Sequence, residues 1–219
     1  MWDILNKKLI NAQKTRQRII DCALKLFAEK GYKNVTVDEI IEKANSSKGA
    51  FYNHFPSKDL LIYEIIKFKD AMYVEWSKEM NALDSAAAKL KLFSHNLFSM
   101  NSTTPDLSPM LLTMEINNPQ ISDLFLDKDR YIFKLLNPIF EEGKSSGEIK
   151  SRLSTDELTR YFLTITTGVL SQWCIHKCSF DIVSFGDPLV EIFINGLVSG
   201  YGAVKLEKAG TEMNYDFNV

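Results

Sequence analysis

From Thr15 to Lys30 the apolar positions Ile19, Ile20, Ala23, Leu24, Leu26 and Phe27 recur at the spacing of one helix face. Gly31 follows, and glycine readily takes the left-handed conformation that ends helices. Thr36 with Glu39 three residues on is a capping-box pattern. Val37, Ile40, Ile41 and Ala44 repeat the helical spacing behind it. This second helix ends near Asn45, a residue that tolerates left-handed backbone. A third, short helix spans Ser47–His54 and stops before Pro56, which disfavours helical geometry at Phe55. Ser57 then offers a fresh N-cap.

Beyond Ser57 the pattern stays helical, with punctuation. One helix is expected from Ser57 to about Asn81 and another from about Ala86 to Met100. Thr104 with Pro105 opens a further helix, and Asn118 with Pro119 repeats that signal. Pro138 should kink or split the next segment. Ser154 and Glu157 form a second capping box, opening a helix to about Lys177. Asp187 and Pro188 are expected to start the last helix, to about Lys205. The pattern predicts an all-α protein of about nine helices, divided into residues 1–56, residues 57–206 and a frayed tail, 207–219.

A long helix followed by two short ones across a tight turn is a helix-turn-helix unit. It explains a glycine in a helix as short as Ser47–His54, where glycine costs about 1 kcal/mol relative to alanine. At 100° per residue, Phe51 and Phe55 lie on the face that packs on the first two helices, and Gly49 and Asn53 lie opposite. A recognition helix brings its backbone close to base edges, and a glycine on its outer face permits that approach. Lys48 can reach a phosphate or guanine, Asn53 can read adenine, and the Tyr52 hydroxyl can hold a phosphate.

Charge strengthens this reading. The 219-residue chain has a net charge of −2, which by itself argues against a polyanionic partner. Residues 1–60, however, carry eleven Lys and Arg against seven Asp and Glu, while the remainder carries fifteen against twenty-one. A basic N-terminal quarter on an acidic body fits a module that meets nucleic acid. Ten Gly and six Pro favour long helices over a turn-rich β protein. No apolar run approaches the roughly 20 residues of a membrane span, and the N-terminus lacks an apolar signal core, so a cytoplasmic protein is expected. Three cysteines, an odd number, do not suggest a disulfide framework.

The stretch "TVDEIIEKANSSKGAFYNHFPSKDLL" resembles the DNA-binding segment of the tetracycline-repressor-like (TetR) family. The resemblance covers about residues 12–62. It includes Phe27, Gly31, Thr36, the run Ser47-Lys48-Gly49, Phe51, Tyr52, Phe55, Lys58, Leu60 and Leu61. It implies a ligand-responsive one-component transcriptional regulator, most often a repressor, that binds a palindromic operator as a homodimer. It also implies that Thr36, Lys48, Tyr52 and Lys58 touch DNA, mostly phosphates. With Ser47, Gly49 and Asn53 these form the expected DNA-binding set. One departure matters: Asn45-Ser46 stands where the family has Gly-Val, so asparagine replaces the left-handed glycine and Ser46 removes a small apolar plug.

The C-terminal part carries little family signature. Its Met- and aromatic-rich helices would hold a mostly apolar cavity for a small organic ligand, and Trp76, Phe93, Phe98, Met110, Met114, Phe133, Phe162 and Trp173 are candidate lining residues. The resemblance implies dimerisation through the last two helices, and Leu189, Phe193, Gly196, Leu197 and Gly200 form a stripe suited to that contact. No phosphate loop, dinucleotide fingerprint, zinc-protease motif or nucleophile elbow is present. On a helix, Cys174 and Cys178 share a face from which His176 points away, so no metal site is expected there. No cofactor and no enzymatic activity are expected. The rival reading is a helical enzyme or a protein-controlled interaction module with a vestigial helix-turn-helix; the intact Lys48-Gly49, Tyr52 and Lys58 set argues against it.

Overall fold

The computed structural model describes residues 2–200 except 106 and 118. The described residues form ten α-helices and no strand: α1 Trp2–Lys30, α2 Val37–Lys43, α3 Lys48–His54, α4 Leu60–Met80, α5 Ala86–Ser102, α6 Leu107–Asn117, α7 Pro119–Leu126, α8 Tyr131–Ser145, α9 Thr155–Ile175 and α10 Ile182–Ser199. A 3₁₀ turn, Tyr32–Asn34, follows α1. Both capping boxes form: Thr36 with Glu39 starts α2, and Ser154 with Glu157 starts α9. Asn45 sits at φ 44°, in the left-handed region expected of it.

Four boundaries depart from the sequence pattern. Helix α1 begins at Trp2, well before Thr15. Ser57 does not cap α4; its N-cap is Asp59, which makes no side-chain capping bond and accepts a hydrogen bond from the Tyr32 hydroxyl instead. Helix α6 starts at Leu107, two residues past Pro105. Helix α10 starts at Ile182 rather than at Asp187-Pro188, because the Asp181 carboxylate accepts from the Val183 and Ser184 N–H groups at 2.9 and 3.3 Å. Pro188 therefore lies inside α10 and Pro138 inside an unbroken α8. Each proline removes one backbone bond. The loss is tolerated because both helices are held by buried residues on either side of the proline, Gly186 and Val190 in α10, Leu136 and Ile139 in α8. Gly200, at φ 80°, caps α10, and the residues expected to extend that helix to Lys205 lie outside the described residues, as does the tail 207–219.

Two apolar cores organise the molecule. The first gathers Ile19, Ala23 and Phe27 of α1, Val35, Ile40 of α2, and Phe51 and Phe55 at α3. It also takes Leu61, Ile62 and Ile66 from the start of α4, and Met110, Leu111, Met114 and Ile121 from α6 and α7. The second begins further along α4 with Tyr73, Trp76 and Met80, and fills with Phe93, Phe98, Phe140, Phe162, Trp173 and Ile194. Each fully buried phenylalanine contributes on the order of 1.5–3 kcal/mol. Helix α4 thus runs through both cores, and α6–α7 close the first one from the far side of the chain. Between α5 and α8, Glu148 caps the α5 N-terminus, accepting from Ala86 N at 2.8 Å and Ala87 N at 3.1 Å.

Candidate DNA-binding face and ligand cavity

Helix α3 is pinned by its apolar face and by its cap. Phe51 and Phe55 are buried against α1, and Ser47 Oγ accepts from Ala50 N at 3.1 Å. The opposite face is open. Lys48, Gly49, Tyr52 and Asn53 are all exposed, and a Cβ built on Gly49 would meet nothing within 4 Å. The space in front of this helix is what a groove edge would fill. Thr36 is exposed at the neighbouring α2 N-terminus, its hydroxyl tied to Glu39. Five of the seven expected DNA-binding residues, with Ser47 at their edge, therefore share one surface.

Local ion pairs tune that surface. Lys48 Nζ lies 2.8 Å from Asp38 Oδ1, and this hydrogen bond raises the lysine pKa. Both side chains are well exposed, so the pair is weak and a phosphate can replace the carboxylate. Glu39 is held down to about 2 by its hydrogen bond from Lys30 and by the Thr36 cap. Lys58 is the exception. Its ammonium points inward, donating to the Tyr32 and Val35 carbonyls, both at 2.8 Å, and sits 4.0 Å from the Tyr32 ring centroid. Burial lowers its pKa. Unlike the other expected DNA contacts, Lys58 in the free protein thus staples the 3₁₀ turn to the start of α4. In the turn, Ser46 Oγ is buried and makes no hydrogen bond with the protein.

A cavity of about 840 Å³ opens among α4 to α9. Leu97, Leu111, Leu112, Ile132, Phe133 and Leu163 supply much of its apolar wall. Asn101, Ser108 and Thr166 are buried polar groups in the same wall, and Ser108 Oγ donates to Asn101 Oδ1 at 2.9 Å. Among the described residues, four cationic ones, Lys69, Lys128, Arg130 and Arg160, also line it, and no acidic one does. Lys128 and Arg160 are exposed at the rim, whereas Arg130 is buried.

Sequence reasoning located the cavity's helices better than its lining. Of the eight candidates only Phe133 reaches the cavity. Trp76, Phe93, Phe98, Phe162 and Trp173 pack into the second core; Met110 and Met114 pack into the first, against α1. Periodicity marks which face is buried but not whether a void or a neighbour lies behind it. Lys69 and Arg160 were missed because a cation on a helix normally reads as a solvated face, and Arg130 because a cation at a helix start normally reads as solvated loop.

The expected dimer stripe on α10 is partly rotated. Leu197 is buried in the second core, Phe193 is half-buried against it, and Gly200 is the left-handed cap. The exposed apolar line is Phe185, Leu189 and Ile192, followed by Gly196, whose face is open. Near the end of α9, Cys174 is half-buried, and burial followed by the neighbouring Cys178 pushes its thiol up to about 11.

Residues 19–65 match the model of the bacterial regulatory proteins of the tetR family, and residues 66–196 match that of the YsiA-like protein C-terminal region. The fatty acid metabolism regulator protein of Bacillus subtilis is 24% identical over 182 residues, covering 82% of this chain and 94% of its own. The solved structure of the transcriptional regulator FadR from Bacillus subtilis, in complex with stearoyl-CoA, superposes with a TM-score of 0.74 at 24% identity, over 84% of this chain and 98% of that one. Thermus thermophilus FadR, a repressor solved with lauroyl-CoA, gives a TM-score of 0.65 at 18% identity, over 90% and 100%.

Proposed function

We propose that this chain, which belongs to the tetR family of bacterial regulatory proteins and is thus a ligand-responsive transcriptional regulator, is no enzyme but a cytoplasmic, homodimeric repressor released from its operator by a long-chain acyl thioester. The observation that carries this ligand class is the cavity: among its described residues, a mostly apolar wall with cationic side chains and no acidic one. An acyl chain needs the first and the phosphates of its carrier need the second. The acyl-CoA complexes of the two FadR neighbours support the same class.

The DNA partner follows from the open face of α3, with Lys48 and Tyr52 on phosphates and Asn53 on a base edge. The dimer is supported by the exposed line Phe185, Leu189 and Ile192, an apolar stripe on α10 that a second copy would cover. Transmission would run through α6, since Leu111 both lines the cavity and belongs to the core around α1. A ligand moves the operator equilibrium only if it prefers the conformer that does not fit DNA.

The test uses the full-length protein and a duplex selected by it from a random pool. Fluorescence anisotropy is followed while stearoyl-CoA, lauroyl-CoA or free coenzyme A is added. Release by the acyl thioesters, and not by coenzyme A, is expected. Tight operator binding that none of them alters refutes the ligand class.

A further inference from the structure

We propose that Arg130 receives an anionic oxygen of the cavity's ligand, carboxylate or phosphate, and that the ligand takes it in exchange for Asp70 of α4. This rests on the acyl-ligand reading and adds the residue that makes occupancy legible to the DNA-binding end.

Arg130 is unusual among the cavity's cations. It is 8% exposed, directly before α8, with its guanidinium 5.2 Å over the Phe125 ring of α7. One edge is engaged: Nη2 lies 2.9 Å from Asp70 Oδ1. Its Nε is buried and makes no hydrogen bond with the protein. A buried charged donor left unused is costly. None of the described residues lining the cavity is a carboxylate that could satisfy it. Nε lies covered, out of reach of the cavity's open space, so an entering oxygen anion supplies that acceptor only as the guanidinium turns away from Asp70, in the planar geometry that guanidinium favours.

The incoming anion also stands beside Asp70, and two anions on one guanidinium repel. The exchange is one-sided because the two partners differ in access to water. The Asp70 side chain keeps 24% of its exposure and can hydrate when released, whereas that of Arg130 keeps 7% and cannot. Asp70 occupies a telling place on α4. Ile66, one turn before it, belongs to the first core; Tyr73, just under a turn after it, belongs to the second. Breaking the pair therefore unties α4 where it passes from one core to the other.

Three probes separate charge from chain: palmitate, palmitoyl-CoA and the neutral 1-hexadecanol, measured on full-length protein by displacement of a fluorescent fatty acid. R130Q is expected to weaken the two anionic probes about tenfold or more and hexadecanol by less than about threefold. Selective loss of palmitate alone would assign the carboxylate, and of palmitoyl-CoA alone the phosphates. Equal loss of all three probes, or of none, overturns the assignment. Should R130Q not fold, R130K keeps the charge without the fork and is expected to weaken anionic probes about threefold or more; wild-type affinity for every probe then overturns it.

D70N tests the exchange itself. It should bind the anionic probes more tightly, and ligand-free operator affinity should fall about fivefold or more. The double variant should lose no more operator affinity than the single variants. Wild-type operator affinity in D70N refutes the exchange. If wild-type protein binds none of the three probes, the acyl reading fails, and the operator affinities of D70N and the double variant still decide whether the pair holds α4.

Discussion

Replacing Gly49 by alanine separates the stability of α3 from its use. In the structure a new Cβ at this position meets nothing within 4 Å, and the backbone is ordinary helix, so there is no steric penalty in the free protein. Alanine reduces the conformational freedom of the unfolded chain and suits the helix better, a gain of about 0.4–1 kcal/mol. In a protein of this size that corresponds to a rise in melting temperature of roughly 1–4 °C. On DNA the sign reverses. If the α3 backbone lies against base edges, the added methyl intrudes into a packed interface, and overpacking costs about 1–3 kcal/mol per site. Since a dimer carries two such sites, affinity should fall by at least about 30-fold, roughly 2 kcal/mol. Thermal melts and anisotropy with the selected duplex measure the two effects on the same preparation. A more stable Gly49→Ala protein that binds the duplex as tightly as wild type would show that the helix does not need its bare face, and would sink the close-approach account.

Other changes probe other parts. Ser46→Val replaces a buried hydroxyl that makes no hydrogen bond with the protein, and should raise stability by about 0.5–2 kcal/mol in urea titrations without changing the m-value. Lys58→Met removes two hydrogen bonds to carbonyls, so it should lower stability by about 1–3 kcal/mol while leaving the salt slope of operator binding unchanged; a shallower slope would return Lys58 to the phosphates. Ile192→Arg places a charge on the exposed α10 line and should yield monomers in sedimentation velocity at micromolar concentration, with operator affinity falling alongside. Cys174, its thiol pushed up to about 11, should alkylate far more slowly than a free thiol at pH 7.5, its rate rising about tenfold per pH unit until that value; mass spectrometry of iodoacetamide-treated protein measures it.

The N-terminal site was readable because its signals are local. A capping box, a left-handed Asn45 and the pair Phe51 and Phe55 each act within a few residues, and together they fix α2, the turn and α3. Lys58 shows the limit of such reading. Nothing nearby in sequence says that the carbonyls of Tyr32 and Val35, more than 20 residues back, would claim its ammonium. The C-terminal site is built from contacts of that distant kind throughout. Arg130 and Asp70 meet across 60 residues, and the open face of α10 is set by which way Phe98 and Gly186 interlock. Pro188 misled for the same reason: a local helix-start signal was overruled by a better cap at Asp181 and by packing along the rest of α10.

The seating of α6 and α7 in the first core bears on how far this protein can be treated as two exchangeable parts. Cutting the chain before α4 would give a tidy sequence boundary. It would also strip Met110, Leu111, Met114 and Ile121, as well as Leu61, Ile62 and Ile66, from the apolar surface of α1 and its neighbours. A headpiece grafted onto a foreign sensor at that boundary would inherit an unmatched apolar patch and a stranger's helix to fill it. Chimeric regulators built from this chain should therefore carry the surface residues of α1 across with the sensor, or redesign them to suit the new α6, so that the seam follows the packing and not the order of the sequence.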